Sequence, residues 1–507
     1  MGWCDQCNVP VLDAQECGVC GKQSRMMRLC KAEVKPIFSE ERMLFHEILV
    51  HSGILDELPR KTCFYNIMGD VIVDGNKIIR VTFDQKAMSW RATKTREYKT
   101  DLNGTDLRKA IEANRHILQE KEKVSLEFID ETLKQYRTVT PAVSFSGGKD
   151  SAAVLWLVRQ VMKDLDVIFL NTTIEFDETV SYIRTLMSAW ESKYVETLPP
   201  REFFDLCDEL GPPSCYMKWC CKTQKFAPLN RLINERYPRG ILTFSGIRKR
   251  ESNIRKGFQN IQRNDAIPKQ LLAFPINDWS SLDIWLYTFW KGIPYNKLYD
   301  YGFARVGCWA CPEKSLGNLK LAQRIHPEYF DKLHSVLLSY AKKHSYDDDW
   351  VYTGKWRFRS TKFMKSAACT SQLCARDNEL VYSIEKPELM TRVGEFLKVF
   401  GKVSKNSVMT KIVGPGIDIT IVSNRLRTRV EDAKMLVAFE KQLAKAMNCV
   451  GCGACVGSCP NGTLKLVDGE IAVGATCASC LRCIQANGLR MGCVSLNYRH
   501  EVLSVAH

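Results

Sequence analysis

The chain has no run of about 20 consecutive apolar residues, so no helix is expected to span a bilayer. Met1 to Cys20 contains no apolar stretch leading to a cleavage site, and a secretory signal is not expected. The eight histidines form no HxxxH or HExxH pattern, which leaves a histidine metal site without support. A Walker loop is missing too: the glycine that must stand five positions before Gly148, with four residues between, is Val143, and the Ser/Thr position after Lys149 is Asp150. Acidic residues are the minority, 57 against 72 Lys and Arg, for a formal net charge of +15. That balance suits an anionic partner such as a nucleotide or RNA and says nothing of fold. What the chain has in excess is cysteine, 22 in 507 residues. In an oxidising compartment closely spaced CxxC pairs would close on themselves. Their spacing therefore points to a reduced, cytoplasmic metalloprotein with no membrane partner.

The length corresponds to three or four domains. Cys4-x2-Cys7 and Cys17-x2-Cys20 form two knuckles, the pattern of a zinc ribbon over residues 1–30 closed by four thiolates. The same set would hold a rubredoxin-like iron. Residues 31–105 read as a small β-containing module. A helical pattern from Glu40 to His51 precedes Val71–Val73 and Ile78–Phe83, which flank an Asp74-Gly75-Asn76 turn and signal a hairpin. Lys86, Arg91, Lys94, Arg96 and Lys99 follow, interleaved with Trp90 and Tyr98, either as a solvated strand or as an RNA-binding face.

Residues 106–365 carry the clearest pattern. A helix is expected over Asp106–Gln135. Strands at Pro141–Ser146, Asp166–Leu170 and Ile241–Ser245 alternate with helices at Ser151–Met162 and Asp177–Trp190. Such alternation implies an α/β domain, a parallel sheet with flanking helices, whose ligands lie at the carboxyl ends of the strands. Ser146-Gly147-Gly148-Lys149-Asp150-Ser151 occupies the first strand-to-helix turn. Its glycines admit phosphate oxygens close to the backbone, the amides opening the helix point at the anion, and Ser146, Ser151 and Lys149 add donors. Lys149 and Asp150 are the candidate catalytic pair in this loop.

SGGKDS after a strand resembles the pyrophosphate loop of the adenine-nucleotide α-hydrolase-like superfamily. Within it, Val167–Thr173 with Glu175, Phe176, Glu178 and Thr179 looks like the second-strand stretch of the phosphoadenosine and adenosine phosphosulfate reductases. Gly246–Arg255 resembles their arginine-rich segment, where Arg248 and Arg255 are suited to hold phosphate or sulfate bidentately. Cys220-Cys221 and Cys308-x2-Cys311 are similar to the pattern by which adenosine phosphosulfate reductases bind a [4Fe-4S] cluster, with zinc as the alternative. The resemblance runs from about Glu127 to Pro312. It departs in two ways. The reductases' C-terminal Glu-Cys-Gly-type catalytic motif is not found, Cys369 and Cys374 lacking the surrounding residues. The loop is also the fuller form of the ATP-cleaving members.

Residues 366–445 read as a helical linker region with a strand at Ile417–Val422. Just ahead of it, Lys355, Trp356, Arg357, Phe358, Arg359, Lys362, Phe363 and Lys365 form a basic aromatic run suited either to a polyanion or to a helix face. In residues 446–500, Cys449-x2-Cys452-x2-Cys455-x3-Cys459-Pro460 has the bacterial ferredoxin spacing, and Cys477-x2-Cys480-x2-Cys483-x9-Cys493 departs only in its last step. The cross-ligation rule groups Cys449, Cys452, Cys455 and Cys493 on one [4Fe-4S] cluster, and Cys477, Cys480, Cys483 and Cys459 on a second, in a ferredoxin-like α+β domain. Outside these sets lie Cys30, Cys63, Cys207, Cys215, Cys369 and Cys374. Of these, Cys215 is the candidate reactive thiol because it closely precedes Cys220-Cys221.

The reading expects three [4Fe-4S] clusters, one Zn2+ and an adenine nucleotide with Mg2+: adenosine 5′-phosphosulfate (APS), its 3′-phosphorylated form (PAPS), or ATP. The favoured function is reduction of APS or PAPS to sulfite with ferredoxin-type electrons, from an electron-donor protein. The alternatives are an ATP-dependent sulfurtransferase acting on tRNA, and a non-enzymatic electron-transfer or scaffold protein.

Overall fold

The computed structural model describes residues 1–29, 33–55, 57–95, 101–360, 364–374, 379–484, 492–498 and 501–506, leaving out the side chains of 364–374, 497, 498 and 501–506. Cys30, Arg96, Tyr98, Lys99, Lys362 and Phe363 lie outside the described residues, as do the side chains of Lys365, Cys369 and Cys374.

The centre is a six-stranded sheet. Its elements run β1 (Thr140–Ser144), α1 (Lys149–Val161), β2 (Asp166–Leu170), α2 (Asp177–Ala189), β3 (Lys193–Thr197), α3 (Ala227–Arg236), β4 (Ile241–Phe244), β5 (Ile261–Asn264) and β6 (Ile267–Ala273). The order across the sheet is β3-β2-β1-β4-β6-β5. All neighbours are parallel except β5, an antiparallel edge on β6. β4 is buried at every position, as a strand covered on both faces must be. The chain winds outward from β1 to β3 and then returns to place β4 on the other side of β1. The carboxyl ends of β1 and β4 therefore flank the switch point, where such sheets open a ligand crevice.

Residues 1–29 do not form an independent unit. A long helix, Leu107–Gln135, is capped by the Asp106 side chain, and the knuckles pack on it. Asn114 donates to Pro10 O and accepts from the Leu12 amide, each buried, and Trp3, Val9 and Leu12 share one apolar core with the central sheet. The module after it is a five-stranded antiparallel meander from Val34–Pro36 to Ser89–Lys94, with the helix Ser39–His51 against it. Its hairpin turns at Asp74-Gly75, both at positive φ (48° and 70°), as a tight two-residue turn requires. In the strand Ser89–Lys94, Ala92 is buried and Trp90 half-buried, while Arg91 and Lys94 are exposed and Arg91 pairs with Asp84 at 3.2 Å. The described part of that basic stretch is the solvated strand.

The expected helical linker over 366–445 is instead mostly sheet. Six strands from Met364–Cys374 to Arg425–Val430 join Glu501–Ala506 in a seven-stranded sheet backed by the helix Ala433–Met447. Ile417–Val422 is a strand there, with alternating burial. The expected boundary at 446 also disappears: the cysteine segment is inserted between that helix and the last strand, and Cys455, Cys459 and Cys483 share a core with Tyr382 and Phe439. Short strands separated by Lys- and Arg-rich faces hide this alternation from a helical reading. Among the described residues no helix is long and apolar enough to cross a membrane.

Candidate functional site

The loop after β1 turns through Gly147 (φ 71°), where a Cβ would lie 2.8 Å from Thr179 Cγ2 on α2, so the close approach needs glycine. Ser151 Oγ donates to Gly148 O (2.9 Å) and accepts from the Ser146 amide (3.3 Å), which fixes the loop's shape. Ser146, Gly148 and Ser151, with Ser144, Ser245 and Gly246 from the ends of β1 and β4, line a cavity of about 190 Å³ that also receives Arg255, Tyr299 and Arg305. Tyr299 is a contributor the sequence did not mark: its hydroxyl accepts the Lys149 amide at 2.9 Å.

Asp150 is gripped from two sides, by Lys149 Nζ (2.7 Å) and by Arg248 Nε (2.6 Å). Burial alone would raise its pKa. The Lys149 and Arg248 charges overcome that and hold the carboxyl well below the usual range. Burial in turn lowers the Lys149 pKa. Arg248 corrects an expectation. It is 2% exposed, and its remaining donors go to both Glu33 oxygens (3.0 and 2.9 Å) and to Trp279 O. A guanidinium so engaged is a brace between the loop and the β-meander module rather than an open clamp for an oxyanion. Arg255 pairs with Glu251 and lines the cavity. Arg305, unremarked in the sequence, is 72% exposed at its rim, 4.0 Å from Glu251.

Cys220 and Cys221 lie in a single helical turn that runs through a π-helical stretch (Lys222–Phe226) into α3. They approach Cys308 and Cys311 closely enough for the thiolate charges to act on one another. Hydrogen bonding from Cys220 comes first in bringing the Cys221 thiol down to about 6, with Lys225 and Lys218 helping against burial. Burial and then Glu175 push Cys308 up to about 12. Thr172 Oγ1 and Glu175 Oε1 each lie 3.4 Å from Cys308 Sγ. The segment following β2 thus links the nucleotide end of the sheet to these thiols. Cys215 Sγ donates to Pro312 O at 3.3 Å, beside Cys311. By contrast, Cys207 is wholly buried, and burial drives Cys63 up to about 11, as for inert core thiols.

The basic run at 355–365 is not a polyanion face in its described part. Arg357 donates to Pro312 O and Lys314 O, and Arg359 to Leu210 O, Pro212 O and the Tyr340 hydroxyl. Both are buried, 7% and 4% exposed. Their own carbonyls receive the Cys215 amide and the Ser214 hydroxyl, so the run ties the Cys215 loop to the Cys311 loop. Arg359→Ala is expected to lower stability by about 2–4 kcal/mol in a denaturant titration, because buried carbonyls lose charged donors.

Two further thiol groups and the ribbon complete the cysteine sets. Cys449, Cys452, Cys455 and Cys493 lie within electrostatic reach of one another. Cys459, Cys477, Cys480 and Cys483 line a single small cavity. Between the two groups sits Lys445, 2% exposed, whose Nζ donates to Cys483 O at 3.2 Å; nothing in the sequence marks it. Burial would lower the Lys445 pKa, but Cys455, Cys483, Cys493 and Cys449 raise it. In the ribbon, the Cys4, Cys7, Cys17 and Cys20 sulfurs all lie within 4.8 Å of one another, with Cys4 and Cys20 3.5 Å apart. Thiolates around a tetrahedral metal at about 2.3 Å would stand about 3.8 Å apart, so the set fits one ion. Since residues 1–29 bury the ribbon against the Leu107–Gln135 helix, removing such an ion with a chelator is expected to lower the melting temperature of the whole chain.

The cysteine segment at the C-terminal end docks on α3, the helix that follows the Cys220-Cys221 turn. The short helix Ala454–Gly457 lies so close to α3 that a Cβ on Gly457 would be 2.8 Å from Asn230 Cβ. Arg201 Nη1 donates to Val450 O at 3.0 Å. Val450, Cys452 and Ala454 share an apolar cluster with Trp219 and Trp309, and Cys220 and Cys308 pack against it.

The family profile of the phosphoadenosine phosphosulfate reductase domain matches residues 140–314, from β1 to just past Cys311. Residues 140–314 are a reductase-family domain. Relatives are consistent with this. An adenosine 5′-phosphosulfate reductase of Bacillus thuringiensis is 27% identical over 198 residues, 38% of this chain and 81% of that protein. An uncharacterized protein of Methanocaldococcus jannaschii is 36% identical over 250 residues, 49% of this chain and 52% of its own length. The chain thus spans about half of that curated relative. Among solved structures, the phosphoadenylyl-sulfate reductase of Candida auris is similar at 18% identity and a TM-score of 0.31, over 39% of this chain and 97% of that one. The reductase-family domain holds the loop, the Arg248 brace and all four central cysteines, whereas the β-meander module and the seven-stranded sheet lie outside it.

Proposed function

We propose that the protein is an iron–sulfur oxidoreductase that reduces an adenylated sulfate, APS or PAPS, to sulfite in a reduced compartment. Two electrons break the bond between sulfur and the bridging phosphate oxygen, sulfur passing to sulfite and the nucleotide leaving as its phosphate. The observation that carries this reading is the docking of the Ala454–Gly457 helix on α3, with Cys452 in the same apolar cluster as Cys220 and Cys308. Cys220, Cys221, Cys308 and Cys311, with the two C-terminal groups, are soft four-thiolate sets that suit [4Fe-4S] clusters; Cys4, Cys7, Cys17 and Cys20 suit Zn2+. Clusters held there would supply one-electron transfer.

The chain's own residues bind and orient. Ser146, Gly147, Gly148 and Ser151 cradle the nucleotide phosphate, with Mg2+ where the nucleotide brings it. Lys149 adds charge, held in place by Asp150. Arg255 and Arg305 face the sulfo group from the cavity wall. Cys215 lies next to the Cys308–Cys311 loop, and its replacement by serine tests for a sulfur-carrying thiol. Anaerobically purified protein, supplied with a reduced electron-donor protein and either phosphosulfate, should release sulfite and the matching nucleotide in equal amounts. No sulfite from either compound overturns the reading.

A second reading, ATP-dependent sulfur transfer to tRNA, is favoured by the complete SGGKDS loop. Pyrophosphate release from ATP that depends on added tRNA would support it in place of the first.

A further inference from the structure

A larger cavity, about 530 Å³, adjoins the nucleotide cavity on the far side of Asp150. One wall belongs to the reductase-family domain. The other is built from the β-meander module: Leu44, Phe45 and Ile48 on the helix Ser39–His51, and Tyr65, Phe83 and Trp90 on the sheet. Its rings stand in two edge-to-face pairs, Phe45–Tyr65 at 5.4 Å and Phe83–Trp90 at 5.3 Å. The volume lies in the range of sites for small organic ligands, and such sites combine an apolar lining with a few polar groups.

We infer that this cavity binds a second ligand, an uncharged organic molecule with an aromatic ring, whose polar end meets the nucleotide at Asp150 and Arg305. Charge argues for a neutral body. Apart from Glu251 and Arg305, the ionic groups that line the cavity are already matched: Glu33 with Arg248, Glu41 with Lys35, and Asp150 with Lys149 and Arg248. An ion entering among them would lose its hydration with no counter-charge left to receive it. Aromatic walls favour a ring, through apolar burial and edge-to-face contact. Asp150, Glu251 and Arg305 line both cavities, so the two occupants share a boundary there. The module that forms its aromatic wall lies outside the reductase-family domain, residues 140–314. The inference holds whichever nucleotide reaction the adjoining cavity performs.

The neutral, solvatochromic naphthalene dye prodan is a suitable probe on the full anaerobic protein. A saturable, blue-shifted signal is expected, persisting when AMP saturates the nucleotide cavity. Leu44→Trp, which fills the apolar end from a half-buried position, should weaken the dye by about tenfold or more. AMP affinity and the melting temperature should stay near wild type. Phe83→Ala, which enlarges the same end without adding bulk, should also alter dye affinity and leave AMP binding unchanged. Competitive displacement of the dye by AMP would make the cavity part of the nucleotide site and overturn the proposal. Unsaturable dye binding, or dye binding unaltered in both variants, overturns it as well. Sulfite formation is not read in these assays, so failure of the reductase reading leaves them intact.

Discussion

On the proposed reductase reading, Gly457→Leu is expected to cut sulfite formation driven through the C-terminal cysteine segment by about 10²-fold, an effect of misplacement rather than of lost chemistry. The helix Ala454–Gly457 meets α3 with no room for a side chain: an added Cβ would fall 2.8 Å from Asn230 Cβ and 3.3 Å from Ala227 O. Backbone oxygen does not yield as a flexible side chain would, so the two helices must separate. Separation draws Cys452 out of the cluster it shares with Trp219 and Trp309. The measurement compares sulfite formed with a protein donor and with a small reductant that reaches the central thiols unaided. The first rate should fall while the second, together with iron content, stays near wild type. Asn230→Gly removes the clashing atom and should restore part of the lost rate, even though it also removes the Asn230 hydrogen bond to Ala266 O. Equal rates with both donors would mean that the contact plays no part in delivery.

Arg248→Ala is expected to destabilise the protein by about 3–5 kcal/mol, because it strands buried carboxylates without their counter-charge. Glu33 loses a bidentate partner and Asp150 one of its two cations. Arg248, Glu33 and Asp150 are all largely buried, at 2%, 8% and 18% exposure, so solvent screening offers little relief. Nucleotide binding should fall with stability, since Asp150 positions Lys149 in the loop. Arg248→Ala combined with Glu33→Gln should recover part of the stability but less of the binding. The pH dependence has a definite sign. Asp150 has its pKa depressed in the folded chain, so its contribution is complete above the ordinary carboxylate value, near ~3.9, and is lost as pH falls below it. Without Arg248 the depression shrinks, so the gap between wild type and variant in denaturant unfolding should hold from about pH 7 to about pH 4 and narrow on acidification below about pH 4. A constant gap would show that Arg248 acts by packing alone.

Legibility followed the range of the interactions. Asp166–Leu170 and Ile417–Val422 were readable to the residue, since a buried run and a strict alternation are local signals. The SGGKDS turn was readable because strand, glycines and helix follow one another along the chain. The role of Arg248 was not. Its type suits an oxyanion, but Glu33, 215 positions away, takes the donors. Arg357 and Arg359 misled in the same way: a basic run looks like surface until its carbonyl partners on distant loops are known. Lys445 and Tyr299 carried no signal at all, being single residues whose meaning comes from what surrounds them.

By itself the sequence determined the grouping of the cysteines into sets with metal-ligand spacing, the α/β sheet and the glycine-rich loop, because cysteine spacing, glycine placement and apolar period are written in consecutive residues. Only the tertiary structure decided that Arg248 braces the loop, that the C-terminal cysteine segment sits on α3, and that the β-meander module walls a second cavity beside Asp150. Each of these depends on atoms far apart in the chain. Which donor meets which acceptor there is set by the packing of whole elements, and the local sequence pattern carries no record of it.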